Sequence, residues 1–346
     1  MKKYCSTHMS QALALCAAML GAGNTCAGDK TTNESSFEST VTHCIGRFLI
    51  DLPADAEYVG GSYDYAFASV EAQPMERGAF QEEVESLEAG LTNKKHKSGT
   101  SLLLQKEMPG EDTRIFAYWG NENRSSVVEI SGYRWLQGIR YLIHKRARND
   151  KVESAVSRMG VTISMLQTRE ASPPVIQGFC IKHAIFADAG QSDNESLMIR
   201  FRLKKHPDIV VDVATNLIAG EPPESLLSRK PGIFSALGIL GASLGGMRNI
   251  RDGDRVVGGI HGQEWLMKAP NEQGQKAHLF TWETPGLSRD ALHPQIRFDL
   301  QSGNFDSGFK PGPISMTDKQ MLKLWDRILN SLRLRPTDER SQNQVR

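Results

Sequence analysis

The chain has 346 residues and is almost electrically neutral, with 41 Lys and Arg residues, 40 Asp and Glu residues and a formal net charge of +1. Its length is sufficient for two domains with separate cores. A nearly neutral chain lacks the basic surface that nucleic-acid binding normally requires, so we expect no nucleic-acid partner. Beyond the N-terminal segment no apolar run is long enough to cross a bilayer, and we expect no stable membrane span.

The N-terminal segment has the features of a secretory signal peptide. Lys2 and Lys3 give a positive start, residues 12–23 are apolar, and the small residues around Cys26 suit a signal peptidase that cleaves after Ala27. Cleavage removes both lysines and no acidic residue, which leaves 39 basic against 40 acidic residues and a formal charge of −1. We therefore expect a periplasmic protein. The alternative is a lipoprotein acylated at Cys26, for which the preceding Gly-Asn-Thr is a poor match.

A strand-like phrase opens each half of the mature chain. The first copy is 44–51 (CIGRFLID), and the second is 180–188 (CIKHAIFAD). Each half continues with strand-like segments and closes with an amphipathic helix and a short strand. Self-similarity on this scale predicts two related domains side by side, with a cleft or saddle between them.

Two cysteines remain after removal of the signal peptide, Cys44 and Cys180, and they open the two phrases. In an oxidising compartment such a pair can form a disulfide. A bridge would close a long loop and contribute about 4–5 kcal/mol in the chain-entropy model. The alternative is a pair of buried free thiols that pack as small apolar residues. The sequence leaves both possibilities open.

Hydrophobic periodicity gives the elements of the first half. Phe80, Val84, Leu87 and Leu91 recur at helical spacing and predict a helix over 76–92. A closing helix is expected to begin near Asn149. The predicted strands of this half are 44–51, 64–72, 101–107, 113–119, 126–131 and 161–168.

Paired prolines at 173–174 mark the boundary between the halves, because they cannot continue a helix or a central strand. In the second half, residues 197–204 alternate between apolar and polar, as in a half-buried strand with one wet face. Thr317 and Gln320 form a capping box that begins a closing helix. The other predicted strands are 209–216, 255–268, 276–283, 294–301 and 332–334.

Many strands, few helices and hairpin-like spacing predict an α+β fold in which two related domains are each a mainly antiparallel sheet with one or two packed helices. A doubly wound parallel sheet would need helices between most strands. The expected organisation is a signal peptide at 1–27, a flexible leader at 28–40, an N-terminal domain at 41–171, a C-terminal domain at 172–336 and a loose tail at 337–346.

One enzyme motif is present. Residues 241–245 (GASLG) match the G-x-S-x-G nucleophile elbow of lipases and esterases, with Ser243 as the nucleophile. The surrounding apolar run reads as a helix or packed loop rather than a buried strand, and a charged turn follows where the elbow needs a helix. The nine histidines are scattered without metal-ligand spacing, and no nucleotide-binding motif occurs. We expect no catalytic residue, no metal site and no cofactor.

Several segments, in their order along the chain, resemble one protein family. They are 42–53 (THCIGRFLIDLP), 178–181 (GFCI), 208–216 (DIVVDVATN), 221–227 (EPPESLL), 259–264 (GIHGQE), 324–326 (LWD) and 335–336 (RP). Together they resemble the two-domain immunity proteins of the Tli type, which neutralise lipase effectors of the type VI secretion system. The resemblance covers nearly the whole mature chain.

The resemblance implies a non-enzymatic protein of the periplasm that binds a cognate secreted phospholipase, in a 1:1 complex, and blocks its active site or its lid. Aromatic and arginine side chains usually anchor such interfaces. The candidates are Trp119, Arg134, Trp135, Arg200 and Arg202, which the sequence alone does not distinguish from core residues. The apolar, glycine-rich segment 229–248 is either a packed helix or a contact surface for the partner. The alternative function is an exported serine esterase that uses Ser243.

Overall fold

Twelve strands form the main sheet, six from each half of the chain. In this computed structural model the described residues are 39–169, 173–190, 192–230, 246–271, 274–303 and 313–337. The predicted signal peptide, nearly all of the predicted leader and tail, and the G-x-S-x-G motif lie outside these residues. Within the described chain, no helix is both long and apolar enough to span a membrane.

Strands outnumber helices throughout the described chain. The helices are α1 (Arg77–Asn93), α2 (Val152–Ser164) and α3 (Asp318–Asn330). The strands are β1 (Thr40–Ile45), β2 (Phe48–Pro53), β3 (Ala56–Tyr65), β4 (Ala68–Pro74), β5 (Leu103–Gly110), β6 (Thr113–Trp119), β7 (Val127–Leu136), β8 (Ile139–Arg148), β9 (Leu166–Thr168), β10 (Phe179–Ile181), β11 (Ala184–Phe186), β12 (Glu195–Leu203), β13 (Val210–Asn216), β14 (Arg248–Val257), β15 (Ile260–Pro270), β16 (Lys276–Thr284), β17 (Gln295–Gln301) and β18 (Arg333–Leu334).

The order of strands in the main sheet shows that the two halves repeat one topology. The order is β14-β15-β16-β17-β13-β12-β3-β4-β8-β7-β6-β5, and every neighbouring pair is antiparallel. Outward from the central β3–β12 pair, β13 takes the place of β4, β17 that of β8, β16 that of β7, β15 that of β6 and β14 that of β5. The predicted α+β class, with two related and mainly antiparallel units, is confirmed. That the units share a single sheet is not predicted from the sequence.

Each half also exchanges its opening hairpin with the other half. β1 and β2 form a sheet with β18, and β10 and β11 form a sheet with β9. Equivalent bonds fix both exchanges: the Arg335 N–H donates to the carbonyl of Arg47 (3.0 Å), and the Arg169 N–H donates to that of His183 (3.2 Å). The described residues therefore belong to one compact unit. The domain boundary expected at 171/172 stays a prediction.

The duplicated opening phrases are hairpins, so the prediction of one strand over 44–51 is wrong. Ile45 pairs with Phe48 across a two-residue turn, and Gly46 adopts the positive φ of +57° that the turn needs. In the second copy His183 has a φ of +64°. The segments 64–72 and 255–268 likewise each contain a hairpin turn. Apolar residues continue on both sides of these turns, so the sequence shows no clear break between the strands. In each opening turn only one of the two central residues has a positive φ.

The first half of the strand predicted over 161–168 is helix, because α2 continues to Ser164, and only Leu166–Thr168 form a strand. Met159 and Ile163 on α2 pack over Gly132 of β7, where an added Cβ would lie 2.8 Å from the Met159 sulfur and 3.2 Å from Ile163 Cδ1. The missing side chain at this position lets the helix approach the sheet closely. Tertiary packing thus overrides the strand preference of the β-branched residues in this segment.

Helices cover the two faces of the main sheet unequally. α2 and α3 belong to the large core on one face, and α3 begins with the predicted Thr317–Gln320 capping box. On the other face α1 buries Phe80 and Val84 against β6 and β7 of the first half. A smaller cluster around Leu226 covers β15 in the second half.

A disulfide joins the two exchanged hairpins, which is one of the two possibilities that the sequence leaves open. Cys44 and Cys180 have Cα atoms 5.9 Å apart and are separated by 136 positions in sequence. Next to the bridge, the Gly46 N–H donates to the Cys180 carbonyl (3.1 Å), and the Cys180 N–H donates to that of Gly46 (2.8 Å). Covalent and backbone bonds therefore connect the halves at the same point.

A buried ion cluster lies at the same junction. Arg47 Nε donates to Glu195 (2.8 Å), and Arg47 Nη2 donates to Asp188 (2.6 Å), which also accepts from the Tyr65 hydroxyl. Burial raises the pKa of Glu195, while the hydrogen bond from Arg47 opposes that shift. Arg47 lies in the β1–β2 turn of the first half, and it binds two carboxylates of the second half, Glu195 and Asp188.

Candidate functional site

Five adjacent strands in the middle of the main sheet are bare on the side that carries α1, as far as the structure describes the chain. They are β17, β13, β12, β3 and β4, and α1 and the Leu226 cluster flank them. We call this surface the open face. Residues that point to this side include Glu57, Ser62, Ser69, Glu71, Met198, Arg200, Arg202, Asp212, Ala214, Arg297 and Asp299, of which Asp299 is buried.

Paired charges cross the second half of the open face. Arg200 forms two parallel bonds with Asp212, directly opposite on β13, at 2.7 and 2.8 Å. Asp212 lies opposite Asp299, which accepts from Arg297 (2.7 and 3.0 Å). Two facing carboxylates are therefore each neutralised by an arginine, which fixes all four side chains. Bidentate pairs of this kind hold a guanidinium in a defined plane.

The centre of the open face is less polar. Met198 lies on β12 between Ser62 of β3 and Ala214 of β13, and 53% of its surface is exposed. Two neighbours with short side chains leave this methionine standing above the sheet. The arrangement offers an adaptable apolar contact surrounded by fixed charges, as in protein–protein interfaces that have an apolar centre and a polar rim.

Two of the five predicted partner contacts lie on the open face. Arg200 and Arg202 are successive outward residues of β12. Arg202 is opposite Glu57 of β3. The structure thus brings these two arginines together beside Met198, which the sequence did not single out. The alternation over 197–204 does place Met198 on the solvent-exposed side of the strand.

Trp119 and Trp135 are half-buried and have packing partners. Trp119 stacks on His96, with ring centroids 4.8 Å apart and an angle of 15° between the planes. Trp135 packs with the α1 cluster and donates from its indole nitrogen to the carbonyl of Met75 (2.7 Å). These contacts give both tryptophans a role in holding α1 and its loops on the sheet. As partner contacts they stay predictions.

Arg134 lies on the opposite side of the sheet from the open face. Its Nη1 donates to the Ile163 carbonyl in the last turn of α2 (2.5 Å), and burial lowers the pKa of its guanidinium. A cation at the C-terminal end of a helix satisfies a carbonyl and interacts favourably with the helix dipole. This contact explains the arginine structurally, and a partner contact at Arg134 stays a prediction.

In the described part of the chain Ser302, His278 and Asp318 form a Ser-His-Asp constellation, whereas the predicted nucleophile Ser243 lies outside the described residues. The Ser302 hydroxyl lies 2.9 Å from Nδ1 of His278, and Asp318 lies 3.0 Å from its Nε2. Ser302 and His278 are fully buried, and the Ser302 hydroxyl also accepts the His278 N–H (3.0 Å). Burial lowers the pKa of His278. A substrate cannot reach this serine, so the three residues join β16 and β17 to the start of α3.

Charged clusters elsewhere have structural partners as well. Asp318 accepts from Lys268 (2.7 Å) and His278, and the hydrogen bond from Lys268 lowers the pKa of Asp318 to about 2. Within the described ranges, no three His, Cys, Asp or Glu side chains are placed to hold a metal ion. The open face is thus the strongest candidate site in the described chain, and its chemistry is suited to recognition of a macromolecule.

Comparison with protein families finds two adjacent matches that together span 41–337. Residues 41–175 match the Tle cognate immunity protein 4 N-terminal domain, and residues 172–337 match the corresponding C-terminal domain. Comparison with curated proteins gives no match.

Among solved structures, the fold is similar to that of the apo immunity protein TplEi of the type VI secretion system from Pseudomonas aeruginosa. The TM-score is 0.75 at 27% identity, over 86% of this chain and 98% of that one. A chain of the Tle4–Tli4 complex has a TM-score of 0.75 at 28% identity, over 86% and 98% of the two chains. TplEi complexed with an "L" peptide has a TM-score of 0.70 at 25% identity, over 87% and 100%.

Proposed function

This chain belongs to the Tle cognate immunity protein 4 family, and we propose that it is a periplasmic inhibitor that binds one cognate secreted phospholipase in a 1:1 complex. A signal peptide cleaved after Ala27 would deliver it to that compartment. The matched range 41–337 carries this proposal, because it includes both halves of the shared sheet. The esterase alternative depends on Ser243 alone, and family membership favours the inhibitor.

We propose that the open face is the docking surface for the phospholipase. Five strands about 4.8 Å apart make a face roughly 20 Å wide. Together with its two flanks, a face of this width approaches the roughly 800 Å² that each partner buries in a standard interface. A partner seated there would meet both halves of the inhibitor at once. Inhibition follows by occlusion, since a phospholipase covered over such an area cannot reach lipid.

The paired charges suit a preformed interface. Arg200 and Arg297 are already held by Asp212 and Asp299, so little side-chain freedom is lost when a partner binds. These fixed ion pairs present both signs of charge in defined positions to complementary groups on the effector. Met198 supplies apolar contact at the centre. Charge complementarity of this kind mainly contributes specificity and a fast association rate.

Met198→Glu tests the docking surface. The change places a charge at the centre of the open face, so we expect at least a tenfold weaker affinity for the purified effector in calorimetry. Residual phospholipase activity in the presence of inhibitor should rise in parallel. Val161→Glu is the matched control, because Val161 is 54% exposed but lies on α2, on the opposite side of the sheet.

Wild type and the two glutamate variants together test the inhibitor function and the docking surface separately. Wild-type protein that forms no complex with its cognate effector, and leaves its lipase activity unchanged, would contradict the inhibitor function itself. If wild type inhibits and the two glutamate variants bind equally well, the function stands and the open face is not the docking surface.

A further inference from the structure

Three two-residue turns between described strands have positive φ at both central residues. They join β3 to β4, β7 to β8 and β14 to β15. The second turn uses Gln137-Gly138 (φ +45° and +85°), and the third uses Gly258-Gly259 (φ +55° and +83°). Glycine adopts this conformation readily, and it is the usual choice in such turns.

The β3–β4 turn departs from this rule. Its central residues are Ala66 (φ +52°) and Phe67 (φ +60°), neither of which is a glycine, asparagine or aspartate. A bulky side chain in the left-handed region is an uncommon and unfavourable arrangement. The same chain places glycine in both other turns, so the choice at this turn is not forced by the strands. Stability alone does not explain the aromatic residue.

The second half of the molecule holds the strained turn in place. The Ala66 N–H donates to the carbonyl of Asn194 (2.9 Å), and the Phe67 N–H donates to the Asn194 side-chain oxygen (3.2 Å). The Ser192 hydroxyl donates to the same carbonyl (2.8 Å). Both central N–H groups are therefore fixed by a single residue just before β12. The turn is rigid although it lies at the surface.

Phe67 is 68% exposed, the largest exposed fraction among the large apolar side chains of the described chain. An exposed phenylalanine on a fixed backbone has only two side-chain torsions to lose on binding. Rigid aromatic side chains with this property supply large contact area at little entropic loss.

We propose that Phe67 is a preorganised anchor that inserts into an apolar cleft of the cognate phospholipase; this inference rests on the proposed function. The turn joins β3 and β4, which are two of the five strands of the open face, so the anchor is continuous with the docking surface. A phospholipase binds acyl chains and therefore presents an apolar cleft that a phenyl ring fits. A glycine at position 67 would relieve the backbone strain but would also remove the phenyl ring, so the strained residue is retained.

The test compares two changes at the same turn. Phe67→Ala removes the ring, and the double change Ala66→Asn/Phe67→Gly installs the sequence that such a turn prefers. We expect both variants to bind the purified effector at least tenfold more weakly. The double variant should also melt at a higher temperature than wild type, because it relieves the strain. Val161→Ala serves as the exposed apolar control and should leave both quantities unchanged.

If both turn variants bind the effector with wild-type affinity, Phe67 is not an anchor. The proposed function still stands in that case as long as the wild-type protein inhibits the effector. Loss of affinity accompanied by a lower melting temperature in the double variant would also overturn the anchor, since the turn would then be structural. Phosphatidylglycerol vesicles and analytical ultracentrifugation probe other occupants. A variant that loses only vesicle binding or only self-association, with effector affinity unchanged, would assign Phe67 to a lipid surface or to a second copy instead.

Discussion

Single buried side chains join distant parts of this chain, and Glu264 is the clearest case. Its carboxylate accepts from the indole nitrogen of Trp325 on α3 (3.1 Å) and from Arg255 on β14 (2.7 Å). Arg255 also donates to Asp326 (2.8 Å). Glu264 is almost fully buried, so the acceptor it provides cannot be replaced by water. One carboxylate therefore fixes the helix and the edge hairpin of the second half.

Replacing Glu264 with alanine should lower the free energy of unfolding by about 3 kcal/mol, because it leaves the buried indole N–H of Trp325 without its acceptor and removes one of the two carboxylates that bind Arg255. Urea unfolding measures the loss. Glu111→Ala is the matched control, since Glu111 also pairs with an arginine (Arg77, 3.0 Å) but is 88% exposed. The control should change stability by no more than about 1 kcal/mol. An equal loss of free energy of unfolding in the two variants would mean that burial does not determine how much an ion pair contributes to stability.

Local sequence patterns do not show which distant residues touch. The segments 259–264 and 324–326 carry the family resemblance, but nothing in their spacing shows that Glu264 and Trp325 touch. Phe67 was missed for a definite reason. Its turn contains no glycine, proline, asparagine or aspartate, so the usual signal for a hairpin is absent. A strained site is where local sequence rules are expected to fail.

Among the described strands of the main sheet, β3 and β12 are the one pair that joins the two halves directly. Gly61 makes the close approach possible. An added Cβ there would lie 2.7 Å from the carbonyl oxygen of Met198 and 3.3 Å from Cα of Ile199, both backbone atoms of β12. Backbone atoms in a paired strand cannot yield without loss of ladder hydrogen bonds.

Gly61→Val should therefore destabilise the protein by about 2 kcal/mol or more, through displacement of β12. Gly60→Val on the same strand is the control, because a Cβ at Gly60 would meet nothing within 4 Å. We expect that control to be neutral or slightly stabilising, since valine favours strands. Thermal unfolding by circular dichroism compares the two. If the Gly61 variant is as stable as the Gly60 variant, the contact between β3 and β12 accommodates a side chain at Gly61.

Sequence patterns identified most strands but few of the turns between them. Alternation over 197–204 predicts β12 and its wet face correctly, because one side is buried along the whole strand. The opening phrases and the segment 255–268 hide hairpins, since the apolar run continues across each turn. The sequence predicts a strand over 161–168, but α2 continues to Ser164. Packing against Gly132 decides that segment, and a contact between distant residues leaves no local pattern.

At the scale of the whole molecule, internal similarity predicts two related units but not how they are joined. The pairing of β3 with β12 and that of β2 with β18 join residues more than 100 positions apart, whereas β9 and β11 pair over 16 to 20 positions. No periodicity encodes such contacts. The exchange has a mechanical consequence, because neither half keeps all its strand partners without the other. We therefore expect the molecule to unfold in one cooperative step.

Removal of the disulfide tests this coupling. The double change Cys44→Ala/Cys180→Ala opens a loop of 136 positions and should lower the free energy of unfolding by about 5 kcal/mol in the chain-entropy model. The urea m-value should rise, because the unfolded chain is no longer held compact. Wild type with dithiothreitol should unfold like the variant.

The number of transitions then distinguishes two kinds of coupling. The central strand pair, the exchanged hairpins and the Arg47 cluster remain when the bridge is absent, so fluorescence and circular dichroism should still report a single coincident transition. Two separated transitions in the variant would show that the disulfide alone makes the halves cooperative. An unchanged midpoint and m-value would instead show that the non-covalent contacts already restrict the unfolded chain as much as the bridge does.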